Sequence, residues 1–469
     1  MLLLFSRRLI LLAGLWAGIG AASHAAETLA ELQPQIDALV APVIENRGVV
    51  GFAIGIRRGD EELFLNYGKV DLEKEGAPTP DTVYEIGSVT KTFTGTLLAD
   101  ASLQTGLDLD ATVAKTLPET APQPAESEQP ITLAHLATHT SGLPRLPNDL
   151  KPKDQRNPYA DFTADDAYAF FAAHKPTRKP GEYEYSNYGM GLLGQLLADR
   201  AGKDYEALVI ERICEPLGMH DTRQHLTPEM AARLAPPYNG DLGRESNWDF
   251  QALVGAGGLR STARDMLKFT AAMFAEDDRD VTKAFQLAGQ PRMKLPDGRS
   301  IGLAWHFARD GITRLHDGQT AGYSSFVACI PEKKLAVVVL SNTAKHEFTS
   351  AVGEKIAQLA LGMKVEPLAM RKVVDVPVET LKKYVGKYPL SLLFSLNVTL
   401  DGEQLKVQAT GQDAFPIYPS SETEFFYRVV DAQITFVVDE KGEATKLILH
   451  QNGKDIEGLR QKQEAGREQ

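Results

Sequence analysis

Ser88 and Lys91 stand three residues apart in Glu85-Ile86-Gly87-Ser88-Val89-Thr90-Lys91-Thr92-Phe93, the start of a helical pattern that continues through Leu97, Leu98 and Ala101. Residues three apart on a helix share a face, which puts the amine beside the hydroxyl. The helix N-terminus at Ser88 favours a developing anion. A serine hydroxyl becomes a good nucleophile when a base takes its proton, and a neighbouring amine is such a base once its pKa is lowered. An S-x-x-K occurs by chance roughly once in a chain of this length, so other groups must support it. Tyr185-Ser186-Asn187, after the Pro180-Gly181 turn, is the only Y-x-N in the chain. In an extended segment, Tyr185 and Asn187 would face one side: a phenol to pass protons and an amide to hold a substrate amide. The third group is His316-Asp317-Gly318, on the approach to a strand beginning near Tyr323.

The elements that must position these groups are legible in the periodicity. Leu29, Leu32, Ile36, Leu39, Val40 and Val43 predict an amphipathic opening helix. Val49 to Ile56 and Leu63 to Val70 predict two strands about the Gly59-Asp60 turn. The middle of the chain alternates helical patterns with Pro-rich loops, Pro144 to Pro158 and Pro176 to Pro180. Thr262-x-x-Asp265 reads as a capping box opening a helix through Phe274. Strands over Tyr323 to Ile330 and Leu335 to Ser341 follow, then a helix from Glu347 to Leu361 stopped at Gly362. After about residue 365 the pattern becomes short alternating strands: Leu396, Val398 and Leu400, the Asp401-Gly402 turn, then Leu405, Val407 and Ala409. Ile434-Thr435-Phe436, Leu447-Ile448-Leu449 and the Asn452-Gly453 turn continue it, predicting an antiparallel barrel or sandwich whose main task is to pack against the first domain.

In this order, S-x-x-K, Y-x-N and [K/H]-x-G, the chain resembles the penicillin-recognising serine hydrolases, above all class C β-lactamases, D-alanyl-D-alanine carboxypeptidases and related D-aminopeptidases and esterases. Leu133 to Pro144 (LAHLATHTSGLP) and Gly255 to Leu267 (GAGGLRSTARDML) are similar to phrases of that family, and the likeness runs over about residues 28 to 362. The tail resembles the lipocalin-like barrel behind some members. The resemblance implies an α+β fold, the β-lactamase/transpeptidase-like arrangement of an antiparallel sheet flanked by helices beside a helical subdomain, followed by the antiparallel β-barrel. By motif it implies Ser88 as acylated nucleophile and Lys91 and Tyr185 as shared acid–base groups, with the primary base left open. Asn187, His316 and Gly318 would bind substrate, and the backbone N–H groups of Ser88 and Gln319 would form an oxyanion hole. At His316 the chain departs from the lysine usual in the β-lactamases. A histidine with an ordinary pKa is mostly neutral at pH 7, so β-lactam hydrolysis should be feeble, and catalysis on carboxylate-bearing substrates should improve as the pH falls from about 8 to 6.

These expectations divide the chain into a signal peptide (1–25), a hydrolase domain (26–364), a linker (365–376) and a barrel domain (377–469). Arg7-Arg8, the apolar run Leu9 to Ile19 and Ser23-His24-Ala25 form the signal, cleaved after Ala25, which sends the protein to the periplasm or outside the cell with no stable membrane span thereafter. Fifty basic against sixty-two acidic residues give a net charge of −12, which disfavours nucleic-acid partners. The two cysteines, Cys214 and Cys329, lie in apolar runs and read as small buried side chains. Gly298-Arg299-Ser300-Ile301-Gly302 fits G-x-S-x-G but lacks the strand–elbow–helix context, so it reads as a hairpin. His135 and His139, four apart, read as packing around the cleft loop rather than as metal ligands, and Gly255 to Gly258 as a tight turn. No metal or cofactor is expected. The partner is a small peptide, amide or ester, most simply a D-amino-acid peptide of the cell-wall type, with a carboxylesterase, a weak β-lactamase and a non-catalytic cell-wall-binding scaffold as the alternatives.

Overall fold

The computed structural model describes residues 27–175 and 178–461, so the signal-peptide expectation lies outside the described residues. Two strands, β1 (Gly51–Arg58) and β2 (Glu61–Gly68), open an eight-stranded antiparallel sheet. A separate ribbon follows, β3 (Val83–Glu85) with β4 (Arg260–Thr262). The main sheet is completed by β5 (Met293–Lys294), β6 (Ser300–Ile301), β7 (His306–Phe307), β8 (Arg314–Gln319), β9 (Ser324–Ile330) and β10 (Leu335–Ser341), in the spatial order β2-β1-β10-β9-β8-β7-β6-β5.

The side-chain alternation of strands splits the burial between two faces. Phe52, Ile54, Ile56, Val337 and Val339 pack with the opening helix Gln33–Glu45 and the closing helix His346–Ala360. Ala53, Val338, Leu340, Val327 and Cys329 point the other way, into the large core shared with the helices Thr90–Thr105, Asn187–Ala201 and Ala263–Ala271. Both cysteines are buried and unpaired, and burial pushes the Cys214 thiol up to about 12. Three local expectations change. Asn187 is the first residue of its helix, with Ser186 as N-cap accepting from the Gly189 N–H at 2.8 Å, so Tyr185 and Asn187 are not two apart on one strand. The His316-Asp317-Gly318 triplet precedes strand β9 as expected, but is in addition itself part of a strand, β8. At the Thr262 cap only half the box forms: Thr262 accepts from the Asp265 N–H, while the Asp265 carboxylate accepts from the Asp221 N–H at 2.7 Å.

The C-terminal barrel comprises β11 (Gly386–Pro389), β12 (Ser395–Asp401), β13 (Gln404–Ala409), β14 (Ala414–Pro419), β15 (Glu424–Tyr427), β16 (Ala432–Val438), β17 (Ala444–Gln451) and β18 (Lys454–Leu459), each paired antiparallel with the next. A bridge between Lys387 and Gln461 brings the first and last strands together. Side chains fill the interior, with Tyr384 stacked on Phe436 at 4.5 Å and Tyr388, Ile417, Phe425 and Leu447 around them. Before β11, the Val373 N–H donates to Asn46 Oδ1 at 2.8 Å, and the Arg428 guanidinium, stacked on Tyr418, donates to the Arg47 carbonyl at 2.6 Å. These bonds tie the barrel to the end of the opening helix. Among the described residues no helix is long and apolar enough to cross a membrane.

Candidate active site

Ser88 lies in a short helical turn, Gly87–Val89, that runs into Thr90–Thr105. One turn on, Lys91 is fully buried, with Nζ 2.8 Å from Ser88 Oγ and 2.6 Å from the Ala256 carbonyl oxygen, to which it donates. Burial drives the Lys91 pKa well below the usual ammonium value, and the Arg145 charge adds to the effect, with Asp317 opposing it. A neutral amine at that distance can take the hydroxyl proton. The Tyr185 ring centroid lies 5.0 Å from Lys91 Nζ. Burial pushes the Tyr185 phenol up, a hydrogen bond with Ser88 partly offsetting it, so the phenol holds its proton at neutral pH. Burial thus moves the two groups in the same protein environment toward their uncharged forms, the amine toward losing its proton and the phenol toward keeping its own.

Two glycines bring the Gln319 nitrogen close to the Ser88 turn. A Cβ on Gly87 would stand 2.8 Å from the Gln319 nitrogen, and one on Gly318 would stand 2.2 Å from the Ile86 carbonyl oxygen and 3.0 Å from the Ser88 nitrogen. No side chain fits between the Ser88 turn and β8. Strand β7 pairs only with Arg314 and Leu315, so from His316 to Gln319 strand β8 has a neighbour on its β9 side alone, and this stretch borders the cleft. The Ser325 hydroxyl donates to the Ile86 carbonyl at 2.7 Å and locks the approach.

The cleft has two compartments. A chamber of about 500 Å³ is bordered by Ser88, Arg145, Tyr185, Arg299, His316 and Asp317. A small pocket of about 30 Å³ beside it is walled by Tyr159, Asn187, Trp248, Phe250 and Leu253. Asn187 Oδ1 is buried with no hydrogen-bond partner, an acceptor ready for a donor. Trp248 is held by the Glu85 carboxylate, which accepts its backbone N–H and the Asn247 amide, each at 2.9 Å.

His316 corrects the pH expectation. Its Nδ1 bonds the Asp317 carbonyl oxygen at 2.6 Å and its Nε2 is buried without a partner. Burial, reinforced by Lys91, depresses its pKa to about 3. The imidazole is therefore neutral across the range from pH 8 to 6, and no gain in its charge occurs there. His135 and His139 do not share a helical face, because the helix Leu133–Ala137 ends between them and His139 has a left-handed backbone (φ 56°). His139 instead lies beside the Tyr185 ring at 4.4 Å and accepts the Ser186 N–H at Nδ1. The Gly298–Gly302 segment does sit in the β5–β6 hairpin, and its Arg299 borders the chamber. Gly255 to Gly257 form most of a short helix, Val254–Gly257, with Gly258 as its C-cap, rather than a simple turn, and Ala256 carries the carbonyl that holds Lys91. Sequence reasoning missed Ala256, Glu85, Trp248 and Arg145. The glycine run and the Pro-flanked loop were their only signals.

A cleft-facing serine backed by a buried lysine under a phenol, between a helical wall and the open stretch of an antiparallel strand, defines a class of acyl-transfer sites, and the comparisons place the chain within it. Residues 36–361 match the beta-lactamase family model, and the chain belongs to that family: it is a serine hydrolase of the β-lactamase and penicillin-binding protein type. Residues 370–462 match a domain of unknown function, DUF3471. The chain is 29% identical over 361 residues to the D-alanyl-D-alanine-carboxypeptidase/endopeptidase AmpH of Escherichia coli strain K12, covering 71% of this chain and 91% of that protein. It is 24% identical over 443 residues to penicillin-binding protein 4* of Bacillus subtilis strain 168, covering 88% of this chain and 95% of that one. Among solved structures, a beta-lactamase/D-alanine carboxypeptidase from Yersinia pestis, complexed with citrate, superposes with a TM-score of 0.61 at 25% identity, over 71% of this chain and all of that one.

Proposed function

We propose that the protein is an exported hydrolase that cleaves D-amino-acid-containing, cell-wall-type peptides or amides through an acyl-enzyme on Ser88. The observation that carries this reading is the buried Lys91 amine, 2.8 Å from Ser88 Oγ and depressed toward neutrality by its surroundings. Lys91 takes the Ser88 proton as Oγ attacks the scissile carbonyl, and the backbone N–H groups of Ser88 and Gln319 receive the oxyanion, each such donor being worth on the order of a hundred- to a thousandfold in rate. The intermediate collapses with cleavage of the C–N bond. The proton passes from the Lys91 ammonium through the Tyr185 phenol to the leaving nitrogen. Water then attacks the acyl carbonyl as the same pair takes its proton, and that proton passes to Ser88 Oγ as the ester C–O bond breaks and the acid leaves. Asn187 orients the acyl amide, and Gly318 keeps the oxyanion donors within reach of each other. The descriptions of the AmpH relative and of the Yersinia pestis structure support the D-alanyl substrate class, and the residue 1–25 pattern supports export to the periplasm or beyond.

The neutral His316 favours one second reading, a carboxylesterase, since an uncharged side chain at that position attracts no carboxylate. Intact-mass detection of a penicillin or fluorophosphonate adduct tests the acyl-enzyme. One adduct on wild type and none on Ser88→Ala is the expected result. No adduct on wild type, or an equal one on the variant, would return the fold to a binding scaffold.

A further inference from the structure

We propose that Arg145 is the anchor for a carboxylate on the leaving group, so that the cleft binds this anion on its helical wall instead of at position 316. The proposal rests on the acyl-enzyme reading above and names which substrates that site takes.

The charges around the chamber support it. His316 is neutral and buried, and Lys91 is buried and turned to Ser88 and Ala256, so neither offers a cation to an incoming anion. Two arginines border the chamber. Arg299 is engaged by Asp297 at 2.7 Å. Arg145 is exposed and has no acid partner and no side-chain hydrogen bond among the described residues. Its guanidinium lies 5.2 Å from the Tyr185 ring centroid, above the phenol assigned to deliver the proton to the leaving nitrogen. A carboxylate one residue beyond that nitrogen falls on this side of the cleft.

The backbone that carries the guanidinium is also held in place. Pro144 and Pro147 stiffen the backbone on either side of it. The Arg145 carbonyl accepts the N–H groups of Asn187 and Tyr188 at 3.0 and 3.1 Å, and the Pro144 carbonyl accepts the Ser186 hydroxyl at 2.7 Å. The Arg145 backbone is thus fixed to the segment that carries Tyr185 and Asn187, which keeps the guanidinium beside the phenol. Asp317, on β8, borders the same chamber and has no ion-pair or side-chain hydrogen-bond partner among the described residues. Its charge repels a carboxylate from the strand wall and so reinforces the preference for Arg145.

The test is a matched pair of substrates, N-acetyl-D-alanyl-D-alanine and its C-terminal amide, assayed with wild type, Arg145→Gln and Arg145→Lys. Loss of a charge-assisted pair predicts a fall in kcat/KM of roughly tenfold to a hundredfold on the free acid in Arg145→Gln, carried by KM. The amide never makes that pair and reports what the lost charge does to Lys91 alone, so the fall should be at least about threefold larger on the acid than on the amide. Arg145→Lys should recover part of the loss on the acid. An equal fall on both substrates, no fall on the acid, or wild-type turnover of neither substrate overturns the proposal. A penicillin adduct on Ser88 in the same preparation separates that failure from a failure of the acyl-enzyme reading.

Discussion

The two domains bury different chemistry. Every polar or charged residue found buried among the described ones precedes residue 350, including Lys91, His139, His316, Glu85 and Arg260. The barrel core is apolar and aromatic throughout, from Leu381 to Leu449. Burying polar groups costs stability unless each finds a partner, yet the first domain leaves Asn187 Oδ1, His316 Nε2 and Glu85 Oε2 without one. Those orphaned atoms lie near Ser88, whereas among the described residues of the barrel only the Tyr418 hydroxyl is left in that state. Reactive groups thus concentrate in the domain that bears the cost of desolvating them, while the second domain is built as a filled body docked on the first.

That contrast predicts opposite outcomes for two substitutions. Lys91→Met should lower kcat/KM by about a hundred- to ten-thousandfold, the range for losing a general base. It should leave Tm unchanged or raised, because an apolar chain of similar length replaces a buried amine. A lowered Tm with retained turnover would erase the distinction between the domains. Phe436→Ala should do the reverse. It opens a hole against Tyr384, Tyr388 and Phe425 and should cost the barrel about 3–5 kcal/mol in denaturant unfolding, with kcat/KM per folded molecule preserved. A matching loss of turnover would assign the barrel a part in catalysis.

The smallest effect sharpens the comparison by pH. His316 ionises near pH 3 when folded and near 6.5 when unfolded, so between those values the unfolded chain binds the extra proton, and stability falls as the pH drops. The loss is on the order of 1 kcal/mol per pH unit below about pH 6. His316→Asn should flatten it, read as Tm against pH, and should leave the pH dependence of kcat/KM unaltered between about pH 6 and 8. A profile that loses an ionisation in the variant would mean the imidazole carries charge in the working enzyme.

Much of the site was legible because its key spacing is local. Ser88 and Lys91 share a helix, and three residues on any helix bring two side chains together whatever surrounds them. Alternation likewise marked the barrel strands and the two long central strands, where one face is buried. What spacing could not convey came from distant segments. The carbonyl that orients Lys91 belongs to Ala256, and the clash that excludes any side chain at Gly318 involves Ile86. Asn187 was assigned to the cleft by an extended-strand argument that its helical position does not support, yet it borders the pocket beside Ser88. His316 kept its assigned place at the cleft but not the protonation expected of it as the pH falls from 8 to 6, because a pKa depends on burial, which no triplet encodes.

By itself, the order of residues determined which functional groups exist and which of them meet within one turn of helix or one pair of strands, since bond geometry carries that information over a few residues. Tertiary structure decided the direction in which the Lys91 and His316 pKa values move, the closeness of the Ser88 and Gln319 nitrogens and the side of the cleft on which Arg145 lies. Each of these depends on how much water and how much charge segments far apart in the chain leave around an atom, and folding sets both.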